Sequence, residues 1–308
     1  MIRTLTKYGK LVKNAKMCER ELHKIGVWQK GVEGRFQTYI KSVDLLDQAL
    51  KKGLVPEFLK ENNQHGEMFF KLKQLYEFTS ILSSVLPFLA TLPINQKKEL
   101  VEKLKIALTG PVLPEDENHN NNSPRNNMFE LLVLSKLLRS GYKNIQIFKN
   151  PDILLIINKR QYPIECKRII TLNERGLISA LNTAINQIKN NWKKNFFKGV
   201  VAIDITPLLE QGNNILDSGG IYSAEASVQN KLEKVFNSIY LRSKKLRKIN
   251  GEIIGILLNV SCVYIVPGTE LGWMNQIAVG VLNKENPEEG SIFIKDLNGL
   301  QKPLIEDE

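Results

Sequence analysis

The stretch GPVLPEDENHNNNSPRNN, residues 110–127, places the strongest constraint on how this 308-residue chain can fold. It holds prolines, acids and a run of asparagines but almost nothing to bury, so it reads as a linker or mobile loop. It also separates two stretches of different apolar period: helical spacing before it, short strand-like runs after it. The chain is long enough for two domains, each with its own core. The expected organisation is a helical domain over 1–110, a linker over 111–125 and an α/β domain over 126–308.

Within the first part, EMFFKLKQLYEFTSILSSVLPFL repeats apolar residues at helical spacing, with Pro87 expected to kink it. Asn95 is expected to cap QKKELVEKLKIAL, and Gly110-Pro111 to end it. Beyond the linker, MFELLVLSKLLRSGY reads as an amphipathic helix closed by Gly141. The β-rich runs NIQIFK, DILLIIN and YPIECKRI follow, separated by turn-like KNP and KRQ. A helix from Glu174 to Trp192, the strand GVVAIDITPL and a helix from Ala224 to Lys248 come next. They lead into the runs EIIGILLNVSCVYIV, QIAVGVL and SIFIKDL. The resulting α-β-β-β-α-β order, with a strand-helix-strand extension, predicts a mixed sheet flanked by helices.

Charge narrows the partners. The formal net charge is +11 and the pI near 9.4, which favours anionic partners such as nucleic acid or an anionic membrane surface. Residues 136–200 hold 13 Lys/Arg against three acids, and residues 1–110 hold 19 against 11. A solvated lysine-rich surface is the other reading of the same numbers, and Arg125 and Lys136 are expected among such solvated charges. Cys18, Cys166 and Cys262 are widely spaced and odd in number, which argues for a reducing compartment and a cytoplasmic location. No run approaches the roughly 18 apolar residues of a membrane span, so no membrane partner is expected. His23, His65 and His119 are far apart, without cysteines at metal-ligand spacing, which speaks against zinc. Phosphate-loop, dinucleotide-binding and G-x-S-x-G motifs are absent from the sequence.

The segment PDILLIINKRQYPIECKR, residues 151–168, carries Asp152, Glu165 and Lys167 within otherwise apolar strands. Glu165 and Lys167 point to one face of their strand, Ile164 and Cys166 to the other. A hairpin through NKRQ can bring Asp152 beside Glu165. Two carboxylates that close repel each other unless a cation neutralises them, and hard oxygen donors suit Mg²⁺ or Mn²⁺. Lys167 would lie beside that metal, able to hold a water or stabilise charge on phosphorus. Other readings stay open: Asp152 as a turn residue, and Glu165 with Lys167 as a solvated edge-strand pair.

Pro151-Asp152, then twelve residues, then Glu165-Cys166-Lys167 resembles the signature of the PD-(D/E)XK nuclease superfamily. The element order over roughly 125–208 is similar to that superfamily's core. The resemblance implies a restriction-endonuclease-like fold and a Mg²⁺- or Mn²⁺-dependent nuclease, with DNA the first substrate to consider. Asp152, Glu165 and the Cys166 backbone carbonyl would then be metal ligands, with Lys167 at the attacking water. It also implies an acid on the preceding helix, for which RNNMFELL offers Glu130, and a polar residue on the following helix, for which AINQIKNNW offers Gln187. The other readings are Glu130 as a first-turn helix acid and Gln187 as a surface helix residue. A nuclease-like fold kept as a DNA-binding or assembly subunit is the alternative function. The helical domain would be its surface for nucleic acid, a partner protein or a second copy.

Overall fold

The computed structural model describes residues 2–28, 34–53, 65–113, 116, 122–169, 174–191, 193, 196–206, 216–217, 221–242, 253–266, 270–282, 286–301 and 304–305. The chain divides into two compact units, residues 1–135 with 268–270, and residues 136–267 with 271–308.

The first unit contains helices α1 (Ile2–Lys24), α2 (Arg35–Lys51), α3 (His65–Thr91) and α4 (Ile94–Ala107), together with most of α5 (Ser123–Arg139). Tyr8, Leu11, Val12, Ala15, Cys18 and Leu22 form the buried stripe of α1 at helical spacing. It packs with α2 and α3, where Phe36 and Phe78 stack at 5.3 Å between centroids. Pro87 lies inside α3, which runs on to Thr91. Helix α4 begins at Ile94, so its cap lies two residues before the expected Asn95. Pro93 is the capping residue, with no side-chain cap, and its carbonyl accepts the Lys97 N–H at 2.8 Å. Proline's fixed φ suits a helix entry and loses only an N–H the first turn would leave unbonded.

The units divide after Ser135, inside α5, rather than in the 111–125 linker. The first turns of α5 are tied to the first unit: Arg35 donates to the Pro124 carbonyl at 3.1 Å, and the hydroxyls of Ser84 and Ser135 meet at 2.7 Å. Arg125 is buried, not solvated. It donates to the carbonyls of Pro111 and Val112 and lies over the Phe70 ring. Residues 114, 115 and 117–121 of the expected linker lie outside the described residues.

The second unit is a mixed sheet with helices on both faces. Its strands are β1 (Ile145–Ile147), β2 (Ile153–Ile157), β3 (Arg160–Arg168), β4 (Gly199–Asp204), β5 (Leu216–Asp217), β6 (Ile253–Val266), β7 (Glu270–Val281) and β8 (Leu304–Ile305). They run in the order β1-β2-β3-β4-β6-β7-β8, with β5 beside β6. Strands β1 to β3 are antiparallel, whereas β3, β4 and β6 are parallel. Asn158 and Lys159 take φ of 49° and 66° and close the β2–β3 hairpin in two residues. Asparagine tolerates that region better than most residues.

Pairing fixes the faces. Glu165 lies opposite Val201 and Lys167 opposite Ile203, while Val201 and Ile203 pair with Ile256 and Leu258 of β6. This face is covered by α6 (Glu174–Asn190) through Leu181, Ala184, Ile185 and Ile188, and by α7 (Ile221–Arg242) through Val228 and Leu232. The other face carries Tyr162, Ile164, Cys166 and Arg168 of β3. It packs against α8 (Pro287–Leu297). Gly255 of β6 leaves room there for Phe293, whose ring carbon would lie 2.2 Å from a Cβ at 255.

Two expectations for this unit are corrected. SIFIKDL is the body of helix α8, not a strand. Asn286 accepts the Glu289 N–H at 3.2 Å, Pro287 stands at the helix start, and Glu288 and Glu289 fill the first turn. Strand β7 starts at Glu270, earlier than the run QIAVGVL, because its polar residues are bonded inside the sheet. The Trp273 indole donates to Ser261 at 2.9 Å and Asn275 donates to Asn259 at 2.7 Å. Of the helix expected over 224–248, residues 243–248 lie outside the described residues. Among the described residues no helix is long and apolar enough to cross a membrane.

Candidate functional site

Asp152 stands one residue before β2, whose Ile153 pairs with Ile164 of β3. Paired residues share a face and neighbours alternate, so Asp152 falls on the face of Glu165 and Lys167. Its Oδ2 accepts the Cys166 backbone N–H at 2.8 Å. That bond holds the carboxylate against β3 at the residue between Glu165 and Lys167. In an extended strand one residue's N–H and C=O leave toward the same edge. The Cys166 carbonyl therefore faces the side that Asp152 occupies, while its thiol is buried on the other face.

Glu165 is 1% exposed and pairs with Val201 of β4, one residue beyond the end of the β2 ladder at Ile164. An isolated carboxylate there would carry a large desolvation cost. Lys167 donates to Glu165 Oε1 at 2.9 Å, with its side chain 21% exposed. The solvated edge-strand reading fails for Glu165, since β3 is an interior strand and the carboxylate is buried. Asp152 is likewise buried, although the backbone around it bends as a turn residue's would.

Gln187 rides on α6, the helix packed against this face of β3. Its Oε1 is buried and, among the described residues, has no hydrogen-bond donor. A buried acceptor without a donor calls for a water, a cation or a ligand group. Glu130 belongs to the first unit, where the Lys103 ammonium holds its carboxylate in a largely buried ion pair. Among the described residues no group of three or more His, Cys, Asp or Glu side chains is placed to hold a metal ion. Side-chain donors at this site are therefore two carboxylates, Asp152 and Glu165. Mg²⁺ suits such a set, because it commonly binds one or two carboxylates and keeps several waters.

The opposite face of β3 holds a second polar cluster that the sequence reading did not single out. Arg168 Nε lies 3.6 Å from Asp204 Oδ2, and Asp204 Oδ1 accepts from Asn259 at 3.1 Å and from the Thr206 N–H at 3.0 Å. Asn275 continues the chain to Asn259, and the Lys136 ammonium donates to the Asn275 carbonyl at 3.4 Å. Lys136, expected as a solvated charge, is fully buried. Burial, helped by the nearby Arg139, pulls its amine down to about 7. The available signals were Asp204 ending the apolar run VVAID, and Asn259 and Ser261 alternating with apolar residues in β6.

Comparison of the chain with protein-family models, with curated proteins and with solved structures finds no match.

Proposed function

We propose that the chain is a metal-dependent nuclease that hydrolyses phosphodiester bonds, with DNA as its substrate. The observation that carries this reading is the hairpin itself: it places Asp152 and Glu165 on one face, fixes Asp152 to the Cys166 N–H at 2.8 Å, and sets Lys167 against Glu165 at 2.9 Å. The order α5-β1-β2-β3-α6-β4, with three antiparallel strands passing into a parallel pair, supports the restriction-endonuclease-like resemblance. In this reading residues 126–308 form the nuclease domain and the preceding helices a domain for substrate or partner binding.

Asp152, Glu165 and the Cys166 carbonyl would hold Mg²⁺ or Mn²⁺. The ion would supply Lewis-acid stabilisation of a phosphate oxygen and a water of lowered pKa. Lys167, at the water-facing end of the pair, binds a phosphate oxygen or orients the attacking water as charge builds on phosphorus. Gln187 Oε1 offers an acceptor to a water on the α6 side. The lysine-rich segment 136–200 draws in the backbone through counterion release.

Purified protein incubated with supercoiled and linear DNA should cleave in Mg²⁺ or Mn²⁺ and not in EDTA. Full activity in EDTA overturns the metal-nuclease reading. Salt-sensitive binding with no turnover in either metal assigns the chain instead to the non-catalytic DNA-binding class.

A further inference from the structure

Resting on that nuclease reading, we infer that Lys167 is a displaceable latch on Glu165, so that metal and phosphodiester each strengthen the other's binding at this site. Glu165 Oε1, an oxygen a metal on this carboxylate would use, accepts Lys167 Nζ at 2.9 Å. Only 2% of the Glu165 side chain is exposed, so water contributes little to its charge and the lysine helps balance it. The lysine itself is 21% exposed. Its ammonium is a point charge on a flexible stem, which can swing toward solvent without stranding a buried cation.

A divalent cation arriving alone meets that ammonium within a few ångströms. Their repulsion weakens the first binding event. A phosphodiester oxygen offers Lys167 another anion and adds negative charge beside the vacated carboxylate. Nucleic acid therefore opens the place the metal needs. By linkage the bound metal, having released Lys167 from Glu165, favours the phosphodiester by the same factor. Arg168 has no part in this. It lies on the opposite face with its guanidinium 3.6 Å from Asp204.

The test is calorimetric titration with Ca²⁺, which binds oxygen sites but positions water poorly for turnover. It is run with and without a short DNA duplex on the parent, Lys167→Met and Glu165→Gln. Without DNA, Lys167→Met should bind Ca²⁺ about tenfold tighter than the parent, or better, because one positive charge has left the site. Duplex should tighten Ca²⁺ on the parent by a similar factor and on Lys167→Met by much less. Lys167→Met binding Ca²⁺ no tighter than the parent, while Glu165→Gln loses it, removes the latch and leaves the metal site standing. If Glu165→Gln binds Ca²⁺ as well as the parent, or the parent binds none with or without duplex, the metal site and the latch both fall.

Discussion

The two faces of β3 carry similar charges and use them differently. On one face Arg160 Nε and Nη2 reach Asp296 of α8 at 2.8 and 2.7 Å, and the Tyr162 hydroxyl adds a bond of 2.7 Å. Burial pushes the Asp296 carboxyl up, but the bonds from Arg160 and Tyr162 outweigh it and hold it below the ordinary range. Burial, with that same carboxylate, raises Tyr162 well above its usual value. On the other face a lysine meets a glutamate two residues away on its own strand. A bidentate arginine fork joining strand to helix is a clamp, whereas a lysine on its own strand neighbour can let go without unseating any element. The pair on the α8 face ties strand to helix; the pair on the α6 face stays within one strand, and the proposed function assigns it to chemistry.

Lys136 gives the largest stability effect with which to probe this contrast. It lies on the structural side yet costs stability. Its folded pKa is lowered from 10.5 to about 7, so between those values the unfolded chain binds the extra proton and stability rises with pH. Above that window both states are neutral, and below it the penalty is present in full. Lys136→Met should therefore be more stable than the parent at neutral pH by on the order of 4 kcal/mol. Its melts should also lack the parent's gain between neutral and strongly alkaline pH. Thermal melts across that range check both points, and an unchanged slope would mean the amine is solvated.

Asp296→Asn should give the next largest change. Breaking a buried pair of this kind costs about 2–4 kcal/mol. The carboxyl is depressed when folded, so its contribution is present above the ordinary carboxylate range and lost as pH falls through the folded value. The gap between parent and variant should be widest at neutral pH and should close in acid, as read by denaturant melts at both. Metal affinity should stay at the parent's value. A fall in metal binding equal to that at the α6 face would erase the distinction between clamp and latch.

The parts of this picture legible in the sequence are those that depend on near neighbours. The runs DILLIIN and YPIECKRI, with turn residues between them, are enough to bring Asp152 near Glu165, but their shared face depends on the register: the two-residue turn at Asn158 and Lys159 pairs Ile153 with Ile164, and a one-residue slip would set the two carboxylates on opposite faces. Helix α8 was also written locally, in Asn286-Pro287-Glu288-Glu289, but the apolar run IFI resembles a strand and masked the start signal. The cluster of Asp204, Asn259 and Asn275 could not be read so directly. It depends on the register that sets Asp204 opposite Asn259 across a parallel pair 55 residues apart. Burial of Arg125 and Lys136 likewise comes from tertiary packing, against which residue type is a poor guide. Nor could the partner of Glu130 be read from its place before β1: its carboxylate pairs with Lys103 of α4, 27 residues away in sequence.

Turnover of Asp152→Asn tests the central claim most directly, since the amide oxygen can still accept the Cys166 N–H that Oδ2 now holds at 2.8 Å while the charge is gone. The metal-site account predicts a fall in Mg²⁺-dependent cleavage of about a thousandfold or more, with the melting temperature within a few degrees of the parent's and metal-free DNA binding undiminished. Cleavage at the parent's rate by a folded Asp152→Asn protein would contradict it, and would leave the charged face of β3 a structural feature.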